Sequence, residues 1–321
     1  MPVVTKFILT VGCIVGSTAV GYAARRSGKV GENVAAVLMT FVVVVGYSLV
    51  GLLSIWGLDL RSADAWLPAL GAGQILLMTP LCIALGRLLW RDRSEVGLFA
   101  ISAPLGNTGF TMGGFVIYLL QGDSGLGLVS IFGLMWTPMM VLVTYPVARH
   151  YSARPGSVSL GRLMFRSIFD WRSIGLPLVL LGLILSLCGV ARPAFVARLS
   201  ILDVLMFAIT PMAYFSIGLR LRFSYVASMK RMILAMAGAR FVLGAAVGLG
   251  LVAVTYLTAW PLTGPARDVF LIEAFVPGSL SAVAVANMFS LRPREASVLF
   301  VANTLSYLVI VLPAVIWIFG R

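Results

Sequence analysis

The chain has 321 residues, of which 60% are hydrophobic and 11% are charged, and its mean hydropathy is +1.03. Apolar runs long enough to cross a bilayer recur along the whole sequence, which excludes a soluble globular protein and predicts an all-α polytopic membrane protein. The formal net charge of +13 is typical of loops that set membrane orientation and meet anionic lipid. We therefore expect a lipid bilayer, and no nucleic acid, as the partner of these charges.

Ten apolar segments predict ten transmembrane helices. We interpret the first segment as a span rather than a signal peptide, because only Lys6 precedes it and no small-residue cleavage site follows it. The longest polar stretch, 149–172, separates two groups of five spans. The first five are expected in 7–23, 34–56, 67–89, 96–120 and 126–148, and the second five in 174–190, 201–219, 232–257, 269–289 and 296–319.

The distribution of basic residues predicts the orientation of these spans. Seventeen of the 24 Lys and Arg residues fall in one alternating set of loops, and six fall in the other set and the termini. By the positive-inside rule the first set is cytoplasmic and both termini are extracytoplasmic, in the cell membrane. Because five is odd, the halves cross in opposite directions, which is the topology of an inverted repeat. We expect a first five-helix repeat in 1–148, a basic cytoplasmic loop in 149–172 and a second repeat in 173–321.

The fourth predicted span contains an unusual stretch, 103–115, with four glycines, a proline and Asn107, Thr108 and Gly109 at its centre. Such residues interrupt the helical hydrogen bonds, and in hydrocarbon the freed backbone groups need protein, water or a ligand as partners. Close helix packing is the alternative for the glycines. For Asn107-Thr108-Gly109 we favour a binding site.

The ninth predicted span has a similar interruption at Pro277, Gly278 and Ser279. Asn107 lies eleven residues after Val96, and Pro277 nine after Asp268, so both are about 14–16 Å from their membrane faces. In a hydrocarbon core of about 30 Å, both breaks are then near the midplane. The half-helix amino termini that meet there suit a carboxylate.

Two charges lie well inside the predicted spans, Arg240 and Glu273. Intramembrane charges face a cavity or a partner. We expect Arg240 to meet an anionic substrate and Glu273 to take part in proton or cation coupling; the alternatives are that the two pair with each other or that Arg240 snorkels. The three cysteines are scattered in separate apolar segments and His150 is alone at a span end, so no metal site or cofactor is predicted.

Three stretches make the chain resemble the auxin efflux carrier family, the bacterial relatives of the plant PIN auxin carriers. Residues 106–110 read Gly-Asn-Thr-Gly-Phe, Pro211 precedes Gly218 in the seventh span, and 303–306 read Asn-Thr-Leu-Ser before Pro313. The resemblance implies two inverted five-helix repeats with broken, crossing spans four and nine. It also implies a scaffold of spans one, two, six and seven, a transport domain of spans three to five and eight to ten, and elevator-type alternating access. Family substrates are organic anions such as auxin, malate and malonate.

These observations predict a secondary transporter of a small organic anion, such as a mono- or dicarboxylate. Asn107, Thr108, Gly109, Arg240, Pro277, Gly278 and Ser279 are the expected substrate-binding residues, and Glu273 is the coupling candidate. A sodium- or proton-coupled symporter or antiporter like the bile acid:sodium symporters is the alternative, and a homodimer is left open. An enzyme is not expected, since no nucleophile–base pair or set of metal ligands lies at span depth.

Overall fold

The structure is a computed structural model that describes residues 3–28, 30–152, 161, 165, 174–221 and 227–320. Within these ranges the regular structure is helical, without β-strands, and seven helices are long and apolar enough to cross a membrane. The protein is therefore a helical membrane protein. The count of ten spans and the inverted repeat stay predictions, and most of the predicted loop 149–172 lies outside the described residues.

The amino-terminal half ends in a helical run, Gly113–Tyr151, of 39 residues. A straight helix of that length would be about 58 Å long, nearly twice the thickness of a bilayer core. Gly122, with φ 67° and ψ −147°, divides the run by adopting a conformation that is open to glycine. The helices of this half are α1 (Val3–Arg26), α2 (Asn33–Trp56), α3 (Trp66–Leu89), α4 (Arg93–Ser102), α5 (113–121) and α6 (123–151).

The carboxyl-terminal half begins with a shorter apolar helix and also contains an interrupted helix. The interruption follows Phe275, where the chain leaves the helical conformation before Val276 and re-enters it at Leu280. The helices are α7 (Gly175–Leu187), α8 (Ile201–Arg220), α9 (Lys230–Thr255), α10 (Gly264–Phe275), α11 (Leu280–Met288) and α12 (Pro293–Phe319).

Helices α1, α2, α7 and α8 pack against one another, α1 on α8 and α2 on both α7 and α8. The contact between α1 and α8 is very close: a Cβ atom on Gly218 would lie 2.1 Å from the carbonyl oxygen of Thr18. Small residues at such points let backbones approach, which is how helices associate where the solvent is lipid. Most of the remaining helices share a large apolar core that includes Phe99, Phe132 and Phe270.

Four of the described helices contain a short π-helical segment: α2, α6, α9 and α12. A π-helical segment holds one extra residue per turn, changes the direction of the side chains after it, and is frequent at functional sites. Two of these segments carry polar side chains of the candidate site, Arg240 in Ala239–Leu243 and Tyr307 in Tyr307–Val311.

Candidate functional site at the crossing of two broken helices

The two interrupted helices touch at their breaks. Gly106, between α4 and α5, forms an isolated antiparallel bridge with Gly278, between α10 and α11. The Asn107 N–H donates to the Pro277 carbonyl at 2.6 Å, and the Ser279 N–H donates to the Leu105 carbonyl at 2.9 Å. Backbone groups that each helix loses at its own break are thereby satisfied by the other break. We call the two breaks, 103–112 and 276–279, the crossing.

The helix ends at the crossing carry opposite partial charges. The carboxyl ends of α4 and α10 present carbonyls, which are partially negative, and the amino ends of α5 and α11 present N–H groups, which are partially positive. At α11 the Ser279 hydroxyl accepts from the Ser281 N–H at 3.0 Å, so this predicted substrate residue is a helix cap. Gly109, with φ 76°, turns the chain into α5.

Arg240 complements both negative ends. Its side chain is 1% exposed, and its guanidinium makes five N–H···O contacts with backbone carbonyls, as many as it has N–H groups. The structure directs its donors to the protein backbone, and the predicted contact of Arg240 with an anionic substrate stays a prediction. The acceptors are Val276, from Nε at 3.1 Å and Nη2 at 2.7 Å, Ala274 at 3.2 Å, Pro104 at 3.3 Å and Ala103 at 3.4 Å.

Glu273 lies against the amino end of α5. The residue is 1% exposed, and its Oε1 accepts from the Gly109 N–H at 3.3 Å. Its Oε2 has no hydrogen-bond partner among the described residues, and a Cβ atom on Gly113 would lie only 2.0 Å from it. None of the ion pairs within the described ranges joins Glu273 to Arg240, so the predicted alternative of a direct pair between them is not present.

Two asparagines at the crossing keep unused donors. Asn107, 3% exposed, accepts at Oδ1 from the Thr111 hydroxyl at 2.7 Å, and Asn303 of α12, 1% exposed, accepts at Oδ1 from the Gly278 N–H at 2.7 Å. The bond from a backbone N–H fixes the orientation of the Asn303 amide, since an N–H only donates. Neither Nδ2 has a partner in the described part of the chain. Each amide therefore offers N–H donors inside an apolar protein.

Four other predicted substrate-binding residues lie in the two breaks themselves. Thr108 and Gly109 are half-buried, and Pro277 and Gly278 act through their backbone groups. Asn303 is not among the substrate-binding residues predicted from the sequence. Its Oδ1 bonds α12 to the crossing, and its Nδ2 is free of described partners. The sequence gives only one indication of this role, an asparagine inside an apolar span.

An apolar cavity of about 220 Å³ lies between α1, α8 and α12. Two of its lining residues connect it to the crossing. Thr304 follows Asn303, and its buried hydroxyl has no partner among the described residues; the hydroxyl of Tyr214 donates to the Met112 sulfur at 3.6 Å. A second cavity, of about 530 Å³, is lined by segments 56–60 and 186–192, which contain no residue of the crossing.

The half-helix α5 is also fastened to α8 at its far end. The Tyr118 hydroxyl donates to the Asp203 carboxylate, and the Phe207 ring packs edge-on against Phe115 and Tyr118. Asp203 thus has a partner on the helix that leaves the crossing. Comparison of the chain with protein-family models and with curated proteins gives no match.

Proposed function

We propose that the protein is a secondary active transporter of a small organic anion, such as a mono- or dicarboxylate, bound at the crossing. The observation that carries this proposal is the pair of buried amide groups, Asn107 Nδ2 and Asn303 Nδ2, which have donors and no described acceptor. An unsatisfied buried donor costs about 1–3 kcal/mol. A carboxylate, which only accepts, would satisfy both amides.

The helix ends favour the same ligand. The negative ends of α4 and α10 are already neutralised by Arg240, so the crossing retains the positive amino ends of α5 and α11. Amino ends of half-helices bind anionic groups in proteins of this type. Arg240 then acts indirectly: it fixes the break geometry and adds a positive charge near the bound anion.

The proposed architecture has ten spans in two inverted five-helix repeats, with both termini on the extracytoplasmic side of the cell membrane. In this scheme α4–α5 and α10–α11 are the broken fourth and ninth spans. The fifth and tenth spans, α6 and α12, both carry a late π-helical segment, Met140–Thr144 and Tyr307–Val311, as repeated elements would. Membership of the auxin efflux carrier family belongs to the same proposal.

Transport follows an elevator-type movement in this scheme. Helices α1, α2, α7 and α8, which pack together, form the scaffold, and α3–α6 with α9–α12 carry the crossing past it. The cavity between α1, α8 and α12 lies at the boundary of the two groups, where a moving domain would expose its site.

A coupled symporter or antiporter like the bile acid:sodium symporters is the second candidate. The buried Glu273, with Oε2 lacking a described partner, favours coupling to a cation or a proton. The two candidates share the crossing as the anion site and differ in what accompanies the anion.

A thermal-shift screen of the purified protein with auxin, malate, malonate and related carboxylates, with and without sodium, tests the proposal. A ligand that binds the folded state raises the melting temperature with concentration by mass action. We expect at least one carboxylate to do so in the wild type and not in Asn107→Ala. If stabilisation by every active anion survives both Asn107→Ala and Asn303→Ala, the anion does not bind at the crossing.

A further inference from the structure

We infer that Glu273 is a proton-binding site of the transport cycle: its carboxyl carries a proton while the crossing is sealed and exchanges it with water when the crossing is open. The role of this proton in transport rests on the proposed function. The presence of the proton is argued from the geometry of Glu273 alone.

The environment of the Glu273 carboxyl favours its neutral form. The group is 1% exposed, with a single described hydrogen bond, from the Gly109 N–H at 3.3 Å, and Oε2 without a described partner. A buried carboxylate needs several donors or a paired charge, and without them it becomes neutral. A proton on Oε2 removes the charge and needs no rearrangement of the backbone.

The groups that face Glu273 do not pair with it. Helix α10 packs on α3, on α9 and on the 113–133 segment. From α9 comes Arg240, whose guanidinium is bound to backbone carbonyls and whose charge acts on Glu273 without an ion pair; from α3 comes Cys82, which is within electrostatic range of Arg240. In the 113–133 segment the Gly113 N–H donates to the Asn107 carbonyl at 3.3 Å, and Tyr118, farther along, is bonded to Asp203. Tyr307 of α12 lies within electrostatic range of Glu273.

The same surroundings disfavour a sodium ion. Sodium sites in broken-helix transporters use carbonyls of the unwound segments. Here six carbonyls at and beside the breaks already accept N–H groups, and the Arg240 charge beside them repels a second cation. The occupied carbonyls are those of Ala103, Pro104, Ala274 and Val276, bound by Arg240, that of Leu105, bound by the Ser279 N–H, and that of Pro277, bound by the Asn107 N–H.

Protonation of Glu273 couples the binding of a proton to the binding of the anion. An anion at the crossing and an ionised Glu273 would repel each other in a medium of low dielectric constant, so the anion binds best when Glu273 is neutral. The proton comes from water on the side where the anion enters and returns to water on the side where it leaves. Anion and proton therefore move in the same direction.

Infrared spectroscopy tests the proton without any knowledge of the substrate. We expect the full-length wild type at neutral pH to show the carbonyl stretch of a protonated carboxylic acid, shifted in heavy water. Glu273→Gln should lack this band, and Glu295→Gln, which changes a carboxylate 3.9 Å from the Arg292 guanidinium, should keep it. Melting curves of both variants verify folding. Identical carboxylic-acid bands in the wild type and Glu273→Gln would overturn the inference.

Proteoliposomes containing a pH-sensitive dye test the coupling, with auxin, malate and malonate as probes. We expect a proton to accompany each anion in the wild type and in Glu295→Gln, and the proton-to-anion ratio to fall to near zero in Glu273→Gln. Anion flux without proton movement in the wild type would refute the coupling. If none of the probes is transported, the proposed function fails for these anions, while the infrared result still decides whether Glu273 holds a proton.

Discussion

The Arg240 guanidinium and the Val276 carbonyl oxygen lie 2.7 Å apart, and the same carbonyl also accepts from Arg240 Nε at 3.1 Å. Val276 is the first residue after α10, so a side chain from α9 provides the cap that the end of α10 lacks within its own sequence. Through Ala103 and Pro104 the same guanidinium caps α4. One buried side chain thereby holds both half-helices at the crossing.

Replacement of Arg240 by methionine should destabilise the protein strongly. Four buried carbonyls would lose a charged donor, at about 1–3 kcal/mol for each group left unsatisfied. Allowing for relaxation, we expect a loss of about 3 kcal/mol or more in the free energy of unfolding. Arg240→Lys, with three donors rather than five, should lose less. Thermal or denaturant unfolding in detergent measures the difference.

Arg231→Met is the matched control, because Arg231 is exposed at the start of the same helix. It should change stability by less than about 0.5 kcal/mol. Equal stabilities of Arg240→Met and the control would show that the guanidinium contacts do not hold the crossing.

A side chain at Gly113 should disturb Glu273. In Gly113→Ala the new Cβ would lie 2.0 Å from Glu273 Oε2, and overpacking of this kind costs about 1–3 kcal/mol. Gly12→Ala, in α1 with no atom within 4 Å of its added Cβ, should be neutral or slightly stabilising. A double-mutant cycle with Glu273→Ala measures the contact: if the two substitutions act additively, Gly113 does not contact Glu273.

The contact between Arg292, before α12, and Asp92, before α4, should make the stability of the protein depend on pH. Asp92, before α4, accepts from the Ser94 N–H at 2.8 Å and from Arg292 Nη2 at 2.5 Å. The backbone bond from Ser94, followed by the Ser94 hydroxyl and Arg292, lowers the pKa of Asp92. A lowered pKa gives stability that is fully present above the unfolded value of about 3.9 and is lost as pH falls through the folded value.

The measurement is the melting temperature of the wild type and Asp92→Asn from neutral pH down to about pH 3. The pair is partly exposed, so we expect at most about 1 kcal/mol at neutral pH, and a difference that shrinks as Asp92 becomes protonated. Asp59→Asn, at an exposed position after α2, is the control. A gap between the wild type and Asp92→Asn that widens with acid would contradict this account.

The sequence was sufficient to predict a helical membrane protein and the positions of the two breaks, whereas the count of ten spans stays a prediction. Apolar runs indicate the helices, and the glycine and proline residues clustered inside such runs at 103–115 and 276–281 favour an interruption, whereas the single prolines Pro80 and Pro211 do not end α3 and α8. Opposite crossing directions and equal depth then suggested that the breaks meet, and the structure joins them through Gly106 and Gly278.

The sequence was not sufficient to assign the roles of the polar residues. Arg240 binds carbonyls 34 to 137 residues away in the chain, and no local pattern shows whether a buried arginine meets a ligand or a helix end. The role of the Asn303 amide is equally hard to predict from the sequence. Its Nδ2 is free of described partners because its Oδ1 accepts from the Gly278 N–H, and this bond exists only after α12 packs on the crossing. Partners of this kind depend on tertiary contacts.

Asn303→Asp provides the sharpest test of the anion site. The new carboxylate has the same shape and can still accept from the Gly278 N–H, so the crossing should fold. It replaces the amide NH2 with an oxygen, so that at most one O–H donor remains when the group is neutral, and the ionised form repels an anion. We expect the affinity for any carboxylate found in the screen to fall at least tenfold, about 1.4 kcal/mol, as measured by ligand-dependent melting. Asn287→Asp, on an exposed amide that donates to Val283 of its own helix at 2.8 Å, should bind as the wild type does. Unchanged affinity in Asn303→Asp, with the crossing intact, would remove Asn303 from the site.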